Sequence, residues 1–97
     1  MSEQKLQKKI LDWLKKNGFY TIKIVVANRK GIPDIVGCTP CGKFFAIEVK
    51  VGSNKASRLQ EYNVKEINKR YGIAFVAYNL ETVKEHLNEY STEHASN

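Results

Sequence analysis

The sequence is poor in cysteine and has no histidine near the cysteines it does contain. Its two cysteines, Cys38 and Cys41, form a single CxxC, and both histidines lie far along the chain. One CxxC supplies only half of a tetrahedral zinc site. We therefore interpret the pair as flanking a hairpin turn. A zinc ion shared across a dimer and a local disulfide are the alternatives, although we expect free thiols in a reducing compartment.

Long apolar runs and an excess of acids are also absent. No run of apolar residues is long enough to cross a bilayer, and no signal peptide is recognisable at the start, so we expect a cytoplasmic protein without a membrane partner (in the host cell if a virus encodes it). Ten acidic residues stand against 16 basic ones, which gives a net charge of +6. This balance favours a polyanionic partner such as nucleic acid.

Hydrophobic periodicity predicts alternating helices and strands. A first helix begins at the Ser2 cap and extends to about Asn17, and a second begins at Ser57, which forms the S-x-x-Q pattern of a capping box with Gln60. Strands are predicted at 19–27, 32–37, 43–51 and 73–78. A short amphipathic helix follows, with apolar residues at Leu80, Val83, Leu87 and Tyr90.

The order of these elements predicts the fold class. An α-β-β-β-α-β order with a short C-terminal helix indicates an α/β fold, in which helices flank a mixed central sheet. Residues 1–90 are predicted to form one domain and residues 91–97 a flexible tail.

Charged residues interrupt the apolar hairpin at residues 31–50. Because side chains alternate along a strand, Glu48 and Lys50 project from the same face. If residue 38 pairs with residue 44, Asp34 lies opposite Glu48. Opposed residues have Cβ atoms roughly 4.5–5.5 Å apart, where two bare carboxylates repel each other. A divalent cation would relieve that repulsion, and oxygen ligands suit Mg²⁺ or Mn²⁺.

Two acids and a lysine around such a cation provide what phosphodiester hydrolysis needs. The metal activates water, and the ammonium orients that water or stabilises the charged transition state. Upstream, Gly31 permits an unusual backbone angle or the close approach of a phosphate, and Pro33 restricts the backbone ahead of Asp34. The alternative is an ordinary surface ion pair between Glu48 and Lys50, with Asp34 as a residue at the start of a strand.

The segments GIPDIVG, GKFFAIEVK and LQ resemble the PD-(D/E)xK nucleases, and in particular the VRR-Nuc family in its small, stand-alone, virus-type form. This resemblance implies a restriction-endonuclease-like core. It implies that Asp34, Glu48 and the backbone carbonyl of Val49 bind the metal, and that Lys50 is catalytic. The CxxC is not part of the family motif.

The resemblance adds an acid on the first helix and a glutamine at the start of the second, which correspond to Glu3 and Gln60. Glu3 would reach the metal through water, although an acid at a helix N-terminus is also favourable with the helix dipole. Gln60 lies on the apolar stripe of its helix and also completes the capping box with Ser57. We expect that its side chain cannot serve the cap and the site together, and we favour the site.

Basic residues indicate where substrate phosphates would bind. Three lie on the outer side of the second helix and three flank the acidic cluster in sequence: Arg58, Lys65, Lys69, Arg29, Lys30 and Lys55. Such side chains contact the backbone without selecting a sequence.

These observations predict a Mg²⁺- or Mn²⁺-dependent endodeoxyribonuclease that acts on branched or structured DNA without a small-molecule cofactor. By resemblance to junction resolvases, the favoured substrate is the Holliday junction and the favoured assembly a homodimer, although no dimer interface is visible in the sequence. The alternatives are a nuclease that cuts flaps or duplex DNA, and a catalytically silent DNA-binding module.

Overall fold

Helices and strands alternate along the chain in the predicted order. The computed structural model describes residues 1–92. The elements are α1 (Glu3–Lys16), β1 (Tyr20–Lys23), β2 (Ile35–Cys38), β3 (Phe44–Val49), α2 (Arg58–Lys69), β4 (Ile73–Ala77) and α3 (Leu80–Leu87), after which Asn88–Tyr90 form a 3₁₀ turn. The α-β-β-β-α-β order with a short C-terminal helix is confirmed.

The caps of α1 follow from the local sequence. The Ser2 side chain accepts a hydrogen bond from the Lys5 N–H, which satisfies one of the free donors at the start of the helix. The helix ends at Lys16, and Gly18 adopts a φ of +87° that a residue with a side chain rarely takes. Both ends lie where the sequence predicts them.

The sheet has the strand order β1-β2-β3-β4. The first two pairings are antiparallel and β3 pairs with β4 in parallel, so the predicted mixed sheet is confirmed. Cys38 pairs with Phe44, and Ile35 with Ile47. The predicted register of the hairpin is therefore correct, and Asp34, just ahead of β2, faces Glu48.

The hydrophobic core lies between one face of this sheet and helices α1 and α3. The side chains of this face include Phe45, Ile47 and Val49 from β3, none of which is exposed. The opposite face is covered by α2, which packs on β4 and β3. Alternation along β3 thus assigns Phe45, Ile47 and Val49 to the core, and Ala46 and Glu48 to the face below α2.

The predicted strand at 19–27 is too long, because the observed strand ends at Lys23. The Ile24 N–H still donates to the Asp34 carbonyl at 2.8 Å, but β2 extends no further in that direction. Val25 and Val26 therefore leave the sheet and are 84% and 88% exposed. β-Branched residues favour strands, but a residue stays in a sheet only where a neighbouring strand pairs with it. The ends of the other observed strands differ from the predicted ones by one to three residues, apart from the start of β4 at Ile73, which is as predicted.

The CxxC is part of the turn between β2 and β3. The Thr39 carbonyl accepts a hydrogen bond from the Gly42 N–H at 2.8 Å, and both Cys38 and Cys41 are free thiols. The interpretation as a hairpin turn is confirmed, and Cys38 and Cys41 form no disulfide in this structure.

The last described residues remain attached to the fold. Ser91 is buried, and the Thr92 N–H donates to the Asn17 carbonyl at 3.0 Å. The first two residues of the predicted flexible tail are thus part of the fold, and residues 93–97 lie outside the described part of the chain. None of the helices in residues 1–92 combines the length and apolar character that a membrane span requires.

Candidate active site

The end of β3 and the residue that precedes β2 bring three of the predicted site residues together. The Val49 N–H donates a hydrogen bond to Asp34 Oδ2 at 2.8 Å, which fixes the carboxylate against the partner strand. The Lys50 N–H donates to the Ala77 carbonyl at 3.0 Å, so the lysine backbone is anchored to β4. The Asp34 carboxylate and the Lys50 backbone are thus each held by a hydrogen bond to a neighbouring strand.

Glu48 lies at the centre of this arrangement. Its side chain is only 2% exposed, and its Oε2 is 3.6 Å from Lys50 Nζ. The same oxygen accepts a hydrogen bond from Gln60 Nε2 at 3.0 Å. Among the described side chains, the other oxygen, Oε1, is the buried polar atom that has no hydrogen-bond partner. Such an atom is costly unless another group binds it.

The surroundings of Glu48 also change the pKa of its carboxyl. The pKa of the Glu48 carboxyl is raised from 4.5 to about 8, chiefly by burial and then by the negative charge of Asp34, against the opposing effect of Lys50. In the metal-free protein the two acids therefore do not both ionise readily. A cation between them would lower the pKa of Glu48 and make both oxygens available.

The residues fit a hard divalent cation. The Asp34 carboxylate and the unpaired Glu48 Oε1 are oxygen donors of the kind that Mg²⁺ and Mn²⁺ prefer. Within residues 1–92, no group of three or more His, Cys, Asp or Glu side chains converges to hold a metal. Glu3, half-buried at the first residue of α1, is thus not joined to the Asp34–Glu48 pair, and its role through water stays a prediction, as does the Val49 carbonyl.

Gln60 serves the cap and the site together, so the expectation that it could serve only one was wrong. Its Oε1 accepts from the Ser57 N–H at 2.8 Å, while its Nε2 donates to Glu48 Oε2 at 3.0 Å. A carboxamide has an acceptor and two donors at its two ends, so the two contacts do not compete. The capping box therefore orients the amide toward the acid.

Two solved structures are similar to this chain. The first, described as "VRR_NUC domain", has a TM-score of 0.76 and 25% sequence identity, over 91% of this chain and 96% of the other. The chain has the fold of a VRR-Nuc domain. The second, "VRR_NUC domain protein", has a TM-score of 0.75 and 19% identity, over 93% of this chain and 88% of the other. No protein-family model and no curated protein matches the sequence.

The VRR-Nuc fold here uses one polar residue that the sequence did not indicate. Asn63, on α2, is only 5% exposed, and its Nδ2 donates to the Gly31 carbonyl at 2.9 Å. It therefore fixes the loop that leads to Asp34 onto the helix that carries Gln60. A signal was present, because Asn63 is a polar residue three positions after Gln60 on the inward side of the helix.

Gly31 makes this close contact possible. It has a φ of +81°, and a Cβ built on it would be 2.6 Å from Leu59 Cγ and 2.9 Å from Asn63 Nδ2. The unusual backbone angle predicted for Gly31 is thus present, and the element that packs against Gly31 is α2. Any side chain at this position would push the loop, and Asp34 with it, away from the helix.

We expect Gly31→Ala to destabilise the protein by about 2–4 kcal/mol, since left-handed strain and overpacking both contribute. Gly42→Ala is the matched control, because Gly42 has a φ of +88° with nothing near the added Cβ. It should cost only about 1 kcal/mol. Urea unfolding of both variants measures the difference, and equal losses would contradict the close contact between the loop and α2.

The six basic residues predicted to contact DNA are all exposed. Arg58 begins α2, and Lys65 and Lys69 lie further along it. Two have acceptors nearby: Arg29 Nη2 lies 3.5 Å from Asn63 Oδ1, and Lys69 Nζ lies 3.8 Å from Glu66 Oε2. Exposed charges of this kind can exchange such weak contacts for phosphate.

Proposed function

We propose that this VRR-Nuc domain is a nuclease of the PD-(D/E)xK type, dependent on Mg²⁺ or Mn²⁺, that hydrolyses phosphodiester bonds in branched DNA and acts as a homodimer. Holliday junctions are the favoured substrate, on the resemblance to stand-alone junction resolvases. The VRR-Nuc fold supports a nuclease and a divalent metal in general terms. The metal ion, the DNA structure and the dimer are parts of the proposal.

The observation that carries the proposal is the unpaired Glu48 Oε1 beside Asp34. A buried carboxylate oxygen without a partner destabilises a fold, and a purely structural acid would be expected to have one. Here the other oxygen of the same carboxylate is bound by Lys50 and Gln60, which leaves Oε1 available to bind a cation together with Asp34.

Each residue then has a separate task. Asp34 and Glu48 would hold the cation, which supplies charge neutralisation and activation of water when bound. The Lys50 ammonium is positioned by Glu48 Oε2 to stabilise the negative charge that develops on the phosphate. Gln60 keeps the Glu48 carboxylate in its orientation through Nε2, in the manner of a residue that supports a metal ligand.

Cleavage assays with labelled DNA test the function directly. The protein is incubated with four-way junctions, duplexes, flaps and single strands, each with Mg²⁺, Mn²⁺ or EDTA. We expect metal-dependent cleavage, most rapid on four-way junctions and absent in EDTA. Cleavage of flaps or duplexes but never junctions would contradict the junction substrate and keep the chemistry, whereas binding without any metal-dependent cleavage would favour the silent module.

Gln60→Ala should reduce cleavage by roughly 10–100-fold, the usual loss when a residue that supports a metal ligand is removed. Ser57→Ala is the matched variant, because it removes the Ser57 Oγ that accepts the Gln60 N–H and leaves the contact of Gln60 with Glu48 in place. It should cost about 1 kcal/mol of stability and change the cleavage rate little. If the two variants lose activity equally, Gln60 acts through the helix cap alone.

A further inference from the structure

One half of a sheet face carries apolar side chains that no element of residues 1–92 covers. Residues paired across strands point to the same face, so the register defines two rows. One row runs from Tyr20 through Cys38 to Phe44, and the next from Ile22 through Val36 to Ala46. Because α2 packs on β4 and β3, the part of both rows on β1 and β2 is left open.

The exposed side chains of these rows form a ridge beside a groove. Tyr20 and Ile22 on β1 are 66% and 44% exposed and form the ridge. The groove has a volume of about 520 Å³, and its walls include Val36, Phe44 and Tyr62. Phe44 is 44% and Tyr62 55% exposed. We call these five residues, Tyr20, Ile22, Val36, Phe44 and Tyr62, the apolar patch.

The chemistry of the apolar patch favours a protein partner. Neither row contains a charged residue, although the chain as a whole has a net charge of +6. A surface that binds a polyanion needs basic side chains, whereas an uncharged aromatic centre with charges at its rim is typical of protein interfaces. The charged residues that line the groove are Arg29 and the Glu66–Arg70 ion pair, whose atoms are 2.8 Å apart.

The size and shape of the surface fit a second copy of this chain. The patch exposes on the order of 400 Å², taking roughly 200 Å² for a large side chain, and Val25 and Val26, which follow β1 in the chain, expose further apolar area. Each partner in a standard interface buries about 800 Å². A ridge next to a groove is self-complementary, since a two-fold axis between them inserts the ridge of each copy into the groove of the other.

We propose that the apolar patch is the interface of a homodimer with two-fold symmetry. This inference rests on the homodimer of the proposed function and assigns it a surface. The facing acids Asp34 and Glu48 form the next row on the same face, two residues beyond Val36 and Ala46, or roughly 7 Å along the strands. A two-fold axis through the patch therefore has one acid pair on each side, which is what cleavage of two strands of one junction requires.

Charge substitution in the ridge tests the interface. Light scattering over a wide range of protein concentration should give the wild-type protein twice the chain mass of 11.1 kDa. Ile22→Glu and Tyr20→Glu should each raise the dimer dissociation constant by roughly 30-fold or more, because a charge would enter the interface twice. Tyr71→Asn is the control: Tyr71 is 83% exposed, does not line the groove, and has a φ of +66° that asparagine tolerates.

The two thiols provide a readout without any substitution. Cys38 lies in the first row between Tyr20 and Phe44, whereas Cys41 lies in the exposed turn. Maleimide labelling of Cys38 should therefore slow as the protein concentration rises, while labelling of Cys41 stays constant. In Ile22→Glu the concentration dependence at Cys38 should disappear.

The outcomes separate the interface from the nuclease. A wild-type protein that stays monomeric, or ridge variants that dimerise as tightly as wild type, would overturn the interface, even if the protein cleaves DNA. A dimer that the ridge variants dissociate supports the interface, even if it cleaves no DNA and the proposed function fails. A monomer whose DNA affinity falls in the ridge variants would assign the patch to DNA and overturn the inference.

Discussion

Replacing Lys50 by alanine should reduce the rate of metal-dependent DNA cleavage by roughly a thousandfold or more. The lysine side chain is only 17% exposed, and its Nζ is held 3.6 Å from Glu48 Oε2. A desolvated ammonium in a fixed position stabilises developing charge far better than one in water. Single-turnover cleavage of a labelled junction at saturating protein measures this loss without a contribution from DNA affinity.

Two comparisons make the Lys50 result specific. Lys55→Ala also removes a lysine near the site in sequence, but Lys55 is exposed. The cleavage rate of this variant at saturating protein should therefore remain close to that of wild type. DNA affinity should change little in Lys50→Ala, because the exposed basic residues that would bind phosphates remain. A Lys50→Ala protein that has the melting temperature of wild type and a cleavage rate within tenfold of the wild-type rate would contradict a catalytic role for Lys50.

The core of the candidate site was predictable because it depends on local rules. Alternation alone separates Glu48 and Lys50 from the buried Ile47 and Val49. The length of the turn after Cys38 then sets the register, and a slip of one residue would turn every side chain of the strand to the wrong face. The position of Asp34 opposite Glu48 followed from these two rules and was confirmed.

The remaining features depend on contacts that periodicity does not encode. Val25 and Val26 have strong strand propensity, yet they leave the sheet because β2 offers them no partner. Asn63 is a polar residue whose task becomes clear only when the Gly31 loop packs on α2. The dual role of Gln60 likewise requires the distance between a helix cap and a strand in another part of the chain.

Glu48 should make the metal-free protein less stable as the pH rises from about 4.5 to about 8, the unfolded and folded pKa values of its carboxyl. The folded state retains a proton in this range that the unfolded state releases, so stability falls as the pH rises. This contribution is present in full below pH 4.5 and lost above pH 8. The loss is on the order of 3–5 kcal/mol, because one pKa unit corresponds to about 1.4 kcal/mol.

Glu48→Gln should abolish this pH dependence and stabilise the metal-free protein above pH 8, since glutamine is neutral in both states. Thermal or urea unfolding across this pH range in EDTA measures the slope. Glu85→Gln, at an exposed position of α3, is the control and should retain the slope of the wild-type protein. Parallel slopes in wild type and Glu48→Gln would contradict the burial of an unpaired carboxylate.

Divalent cations should reverse the effect of pH in the wild-type protein. Binding requires the ionised carboxylate. The stabilisation by Mg²⁺ or Mn²⁺ should therefore grow as the pH rises toward 8 and beyond. In Glu48→Gln the same cations should add little, because the charge next to Asp34 is gone. The substitution that stabilises the metal-free fold should thus remove the response to metal, since the unpaired Oε1 destabilises the fold in the absence of the ligand that it is positioned to bind.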